Sequence, residues 1–416
     1  MPRVSFVLHL HQPIYLNKNF PYERARRIAE EASLMDKYAD YGLCHRMYLK
    51  DSREKYTPLL TTLLRAAETG KQVGTPLKFG LCLSGLFIEQ MVKEDPVLLG
   101  AVNKLVALGS VEMLATTYYN SLSSMYPGGM EEFEEQVREQ MALVGKVFSV
   151  QPRVLANTKL VYNDAVARSA ESLGLSAVIA DGVPSLGAPS VSEAYVPASA
   201  PGIRLLVRDP ALSAKVAEGK VGGLPQPPEG FRLIYSDRLE KGGPNRYEDL
   251  ASWLTSPGMV TASPYEAVEE MAPAGSICVP EPVQLAMAEC RGEGTSLLSN
   301  AMQRTSYDRA VALGQYVKEV GDSRIKGLWR ILQQADHLLC MRDYQAPGTP
   351  MLFSSAAEGF SVYNTVLVDF EGKLTTLVQR MRKTKTLAKQ ATAQAAIYPQ
   401  VNQQVMPKVP RPVVTP

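Results

Sequence analysis

Seven short apolar runs, each followed by a segment with helical patterning, constrain the fold of this chain more than anything else in it. The runs are VSFVLHL (4–10), LKFGLCL (77–83), VEMLATTYY (111–119), RVLANTKL (153–160), AVIADG (177–182), IRLLVRD (203–209) and FRLIYSD (231–237). Each is mostly apolar on both faces, which suits parallel strands covered on both sides. Thr57-Pro58, Asp95-Pro96 and Ser263-Pro264 each place an N-cap before a proline at the first helical position. Gly70 and Gly174 stand where helices should stop. Strand and helix in alternation make βα units and a parallel sheet. Seven such strands over roughly 240 residues predict an α/β fold built on a closed, irregular seven-stranded (β/α) barrel rather than an open sheet.

Beyond the barrel the pattern changes. Residues 284–345 and 360–395 read as long helices without strands. RIKGLWRILQQADHLL (324–339) puts Ile325, Leu328, Trp329, Leu332 and Leu339 on one apolar stripe. The predicted organisation is a barrel over 1–280, a helical bundle over 281–395 and a proline-rich, disordered tail over 396–416. Residues 183–201 and 219–230, rich in Gly, Pro and Ser, are expected to be long rim loops. RMRKTKTLAK (380–389) reads as a solvated basic helix face, since no aromatic residues interleave with its charges.

Charge narrows the partners. Forty-four basic and 42 acidic residues leave a net charge of +2. No field of one sign is available to gather nucleic acid or an anionic membrane, so an uncharged ligand is expected. No apolar run approaches the roughly 20 residues that span a bilayer. The five cysteines are scattered and form no CxxC pair. They are read as reduced thiols, and with no leader pattern before the first strand the expected location is cytoplasmic. No cofactor is expected, and the oligomeric state is left open.

Candidate chemistry gathers at strand ends. His9 and His11 in HLHQP end the first run on one face of a strand. Such a pair holds a metal when further ligands converge, as in a metal-dependent barrel hydrolase. With only His45 and His337 besides, a rim histidine touching a ligand while its neighbour packs is the preferred reading. Tyr118, Tyr119 and Asn120 end the third run. They suit a sugar's ring face and hydroxyl edges, or else simply cap a strand and pack between layers. Glu112 begins that run, at the stability face of a barrel. Lys159 sits at the end of the fourth run, where a barrel enzyme keeps its chemistry. There is no P-loop, GxSxG, HExxH or GxGxxG in a strand-to-helix setting.

Taken together, HLHQP, VEMLATTYYNSLSSMY, PRVLANTKLVYND, VPEPVQLA…LLSNAMQR and LQQADHLLCM resemble, in order, the motifs of glycoside hydrolase family 57, in its alpha-amylase-like branch. The resemblance runs from about residue 4 to about residue 375. It implies a seven-stranded barrel with a following helical bundle and a retaining reaction on α-glucans, with a glutamate nucleophile and an aspartate acid/base. The nucleophile position matches Lys159 and the acid/base position matches Ser236. Asn120 stands where the family usually has histidine. His11, Tyr118, Tyr119, Asn120 and Asp336 are the expected sugar-binding residues, with Lys159 and Ser236 facing each other across one cleft.

Asp237 and Asp181 are the candidates for relocated carboxylates, although a one-residue shift along a strand changes faces. Lys159 is expected to pair with Asp181 or Asp237 rather than to form a Schiff base. The resulting expectation is a carbohydrate-binding or regulatory homologue, its partner an α-glucan or oligosaccharide, without standard hydrolysis. The alternatives are an active hydrolase or transferase using Asp181 and Asp237, and a metal-dependent hydrolase on His9 and His11.

Overall fold

A computed structural model describes residues 2–20, 37–222, 224–225, 227, 229–237, 243–281, 297–342 and 353–397. The strands are β1 (Pro2–Leu10), β2 (Phe79–Leu83), β3 (Val111–Leu114), β4 (Val154–Leu155), β5 (Ala177–Ala180), β6 (Ala194–Pro197), β7 (Arg204–Val207), β8 (Gly230–Ser236), β9 (Val260–Thr261) and β10 (Pro273–Ile277). One run of neighbours is β3-β2-β1-β8 and another is β4-β5-β7, all parallel. Single parallel bridges, Ala115 to Leu155 and Arg208 to Leu233, join the two runs end to end. The circle is therefore β1-β2-β3-β4-β5-β7-β8, one strand from each of the seven apolar runs.

Alternation along the strands sorts the core. Val7, Cys82, Leu114, Val154, Ile179, Leu206, Leu233 and Tyr235 fill the barrel interior. Their strand neighbours Phe6, Leu8, Phe79, Leu81, Leu83 and Ile234 face outward. They pack on a helical layer that includes α1 (Tyr41–Asp51), α2 (Thr57–Gln72), α3 (Gly85–Glu94) and α4 (Pro96–Ala107). On the other side Val178, Leu205 and Val207 pack with α5 (Glu131–Phe148) and α6 (Asp164–Ser172). The next three helices are α7 (Pro210–Ala217), α8 (Arg246–Leu254) and α9 (Pro264–Glu270).

Two of the three proline caps behave as the sequence implies. Asp95 accepts from Leu98 N ahead of α4, and Ser263 forms a capping box with Glu266 ahead of α9. Thr57-Pro58 does not start a helix. The chain is already helical from Tyr41 and passes through a π turn, Ser52–Tyr56, straight into α2. Pro58 has no N–H to donate, and the wider turn, closed by Thr57 N–H to Ser52 O, lets the helix continue past it. Gly174, at φ +76°, ends α6 as expected, whereas Gly70 lies inside α2. The loop expected at 183–201 contains β6. This strand hydrogen-bonds antiparallel to β7 and carries β10 outside the barrel.

The helical region holds α10 (Ala301–Val320), α11 (Ser323–Leu332), α12 (Ala335–Leu339) and α13 (Ala356–Ile397). Ile325, Leu328, Trp329, Leu332 and Leu339 are all buried in its core with Leu313, Val317, Tyr363 and Phe370. Trp329 lies so close over Gly314 that a Cβ there would approach its ring to 2.7 Å. Asn300 caps α10, and Gln303 donates to Leu338 O at 3.0 Å, tying α10 to α12. Arg330 of α11 is buried against Glu132 (2.7 Å) and Glu139 (2.8 Å) of α5, which fixes the bundle to the barrel. α13 runs 42 residues, and Lys383, Lys385 and Lys389 on it are exposed. The boundary at 280/281 adjoins residues outside those described. Of the tail at 396–416, the first two residues belong to α13 and the rest lie outside the described residues. Among the described residues no helix is long and apolar enough to cross a membrane.

Candidate functional site

The chain leaves β4 at Leu155 and turns sharply. Lys159 and Leu160 both adopt left-handed conformations, φ +54° and +53°. Each costs roughly 1–2 kcal/mol in a residue with a Cβ. Polar side chains underneath hold the turn. Asn157 accepts from Thr158 N (2.8 Å) and donates to Ser124 Oγ (2.9 Å) and Val161 O (2.7 Å). Thr158 and Thr117 share a 2.6 Å hydroxyl contact. The strained turn directs Lys159 across the barrel mouth, where Nζ donates to Asp237 Oδ2 at 2.6 Å. β5 and β7 lie between β4 and β8 in the sheet, so this ion pair spans the mouth.

Strand parity explains why Asp237 is the partner. Leu233 and Tyr235 point into the barrel, and Asp237 is next in that series. Ser236 pairs in register with outward-facing Leu8 and shares a parity with outward-facing Ile234. It is buried and absent from the cleft wall. The expectation that Ser236 faces Lys159 is corrected accordingly.

A second polar group stands beside this pair. His11 Nδ1 contacts Ser84 Oγ at 2.7 Å, and His11 Nε2 lies 3.1 Å from Asp336 Oδ2 in α12. Asn120, also left-handed at φ +51°, donates to the same oxygen at 2.9 Å, and its carbonyl accepts from Ala335 N. The cleft setting of Asp336 desolvates its carboxyl and by itself would raise its pKa. The charge and hydrogen bond of His11, then Lys159 and Asn120, outweigh that and hold it well below the usual carboxylate range. His9 is hydrogen-bonded to Tyr235 OH. Burial, opposed by Asp237 and reinforced by Lys159 and His11, pushes its imidazole down to about 3. His9 is therefore neutral at pH 7, and its Nε2 is buried with no partner among the described residues.

His9, His11, Asn120, Lys159, Asp237 and Asp336 line part of a cleft of ≈ 230 Å³. The rest of its wall comes from Leu8 and Leu10 of β1, from Gln12–Leu16 after it, from Asp51, Lys55, Tyr56 and Leu59, from Tyr247 of α8, and from His337, Leu339, Cys340, Arg342 and Phe353 of the helical region. Residues 5–256, more than half of the chain, match the sequence signature of the family described as Glycosyl hydrolase family 57. The chain belongs to glycosyl hydrolase family 57.

A curated relative from Methanocaldococcus jannaschii, named "Putative alpha-amylase", is 24% identical over 421 residues. The match covers 88% of this chain and 84% of that protein. Among solved structures, the family 57-type branching enzyme of Pyrococcus horikoshii superposes with a TM-score of 0.62 at 13% identity, covering 88% of each chain. The 4-alpha-glucanotransferase of Thermococcus litoralis gives a TM-score of 0.58 at 15% identity. That match covers 81% of this chain but only 55% of the larger protein. At these identities the two structures establish the shared fold, the family's barrel with a following helical region.

Set within the family 57 barrel, the sequence-derived candidates divide. His11, Asn120, Lys159 and Asp336 come together in the cleft wall, with His9 and Asp237. Tyr118 and Tyr119 do not line it. The Tyr118 ring packs over Gly85, where a Cβ would meet it at 2.4 Å, and lies tilted against Tyr119 with ring centroids 4.9 Å apart. Both tyrosines are half-buried outside the cleft wall. Asp181 is not in the cleft wall and is held in an ion pair with Arg208 at 2.9 Å. Among the described residues no three His, Cys, Asp or Glu side chains converge on a metal-binding point. Sequence reading missed Gln12, Asp51, Lys55, Tyr56 and Tyr247. Only Gln12, next to the HLHQP histidines, carried a signal.

Proposed function

We propose that this family 57 protein binds an α-glucan or oligosaccharide in the barrel-mouth cleft and does not carry out retaining hydrolysis there. The observation that supports this most is the 2.6 Å contact between Lys159 Nζ and Asp237 Oδ2. Retention needs two carboxyl groups about 5–5.5 Å apart, one to attack the anomeric carbon and one to protonate the leaving oxygen. In this cleft the position matched to the nucleophile carries an ammonium, which has no lone pair to attack with. The carboxylate oxygen that would deliver the proton is held by that ammonium. The names of the relatives support α-glucan as the ligand class. Tyr15, Tyr56 and Tyr247 beside Gln12 and Asn120 supply the mixture of ring faces and hydrogen-bonding groups that sugars require. Unpaired cysteines at 44, 82, 278 and 340 support a reducing compartment such as the cytoplasm.

Titration calorimetry with maltooligosaccharides, run beside a reducing-sugar assay, tests the reading. Saturable binding without release of reducing ends is expected. Release by the unmodified protein that disappears in Asp237→Asn or Asp336→Asn would replace it with a relocated active site.

A further inference from the structure

The wall of the cleft carries a second polar pair. Asp51 ends α1, and Lys55 lies on the π turn that follows it. Lys55 Nζ is 3.0 Å from Asp51 Oδ1, with side-chain exposures of 25% and 10%. π turns inside α-helices occur frequently at functional sites, because the extra residue redirects side chains that a regular helix would point elsewhere. Lys55 and Tyr56, on this turn, line the cleft together with Asp51. The surroundings are fixed: Tyr56 OH donates to Gln12 Oε1 at 2.7 Å, Gln12 Nε2 donates to Tyr15 OH at 3.1 Å, and the Tyr56 ring packs edge-on to Phe87.

We infer that Asp51 and Lys55 form a sugar-ring subsite that grips a pair of neighbouring hydroxyls, one donating to the Asp51 carboxylate and the next accepting from Lys55 Nζ. The inference rests on the glucan-binding reading above and extends it to a residue pair that neither the family's motifs nor its catalytic positions include. A carboxylate and an ammonium side by side match the donor–acceptor order of a vicinal diol, and hydrogen bonds to charged groups are the stronger ones. The same pairing selects against charged sugars. Asp51 is matched to Lys55, Asp237 to Lys159 and Asp336 to His11. An anionic ligand meets these carboxylates already in place, so a neutral polyol fits the cleft. A second grip in the same cleft, besides the group around Lys159 and Asp336, favours a chain of more than one ring over a single sugar.

The experiment compares maltose with maltohexaose by calorimetry on the full chain. In the wild type, maltohexaose is expected to bind at least about tenfold more tightly than maltose. Lys55→Met is expected to remove most of that advantage. Asp51→Asn, nearly isosteric, carries the same comparison should Lys55→Met fail to fold. An advantage for the longer sugar that persists at its wild-type value in either folded variant overturns the subsite and leaves the glucan-binding reading intact. Equal wild-type affinities for the two sugars overturn the subsite as well. A wild type that binds neither sugar overturns both readings.

Discussion

Lys159 and Asp237 meet across the barrel mouth at 2.6 Å, and the lysine reaches that contact from a left-handed backbone conformation. The two costs are separable. The pair is about one-fifth and one-third exposed, where such contacts are worth roughly 0–1 kcal/mol. The backbone strain of a residue with a Cβ is of similar size. Lys159→Gly is therefore expected to be more stable than Lys159→Ala by about 1 kcal/mol, because both lose the ion pair but only glycine relieves the strain. Urea denaturation of the two variants decides the matter. Equal midpoints would refute the strain.

Rebuilding a carboxylate pair should depend on Asp237 and not on position 236. Lys159→Glu combined with Ser236→Asp is expected to release no more reducing sugar than Lys159→Glu alone. Ser236 is 2% exposed and faces the helical layer, so a carboxylate there also costs several kcal/mol, about 3 by analogy with other unpaired buried charges. A gain in turnover specific to the double variant would restore Ser236 as the acid/base position.

At the opposite end of the barrel, Glu112 Oε2 accepts from Tyr265 N at 2.8 Å. Burial pushes its carboxyl up to about 6, only partly countered by that hydrogen bond, Ser263 and Arg153. The folded protein therefore holds a proton that the unfolded chain releases near 4.5. This contribution to stability is fully present below about 4.5 and is lost as pH rises through about 6. Relative to Glu112→Gln, the wild type is expected to lose about 2 kcal/mol between pH 4.5 and pH 7. Thermal melts at matched pH values check it, and a pH-independent difference would exclude it.

His9 and His337 act in the other direction. Burial drives both imidazoles down, to about 3 and about 4. The unfolded chain takes up these protons near 6.5 and the folded protein does not, so stability falls as pH drops from 6.5 toward 4. His337→Gln is expected to be less stable than the wild type at pH 7, with a shallower loss of stability on acidification. Parallel melting curves for the two proteins between pH 7 and pH 4.5 would show that His337 does not contribute.

The strands were legible because each had to be apolar on both faces, and residues such as Phe6 and Val7 leave no amphipathic alternative. The bundle stripe was legible for a similar reason, since Leu328, Trp329 and Leu332 repeat at helical spacing. The cleft was harder to read. Matching letters to a motif put Ser236 in the site. Counting alternation back from Leu233 and Tyr235 puts Asp237 there, and that count requires knowing which residues are buried inward. Tyr118 and Tyr119 have the composition of a sugar platform, but Gly85 leaves a hollow that a ring fills. Nothing local announces that Pro58 will be absorbed by a π turn. Lys55, Asp51 and Tyr247 reach the cleft from helices with no readable link to it.

The two single bridges that complete the barrel, at Ala115–Leu155 and Arg208–Leu233, divide its wall into two shells sewn together at two points. One shell is β8-β1-β2-β3 and the other is β4-β5-β7. Lys159 rides on the smaller shell and Asp237 on the larger. Lys159–Asp237 adds a side-chain link between the two halves beside those main-chain stitches. A guest that parted this pair would leave the two halves joined there by backbone alone.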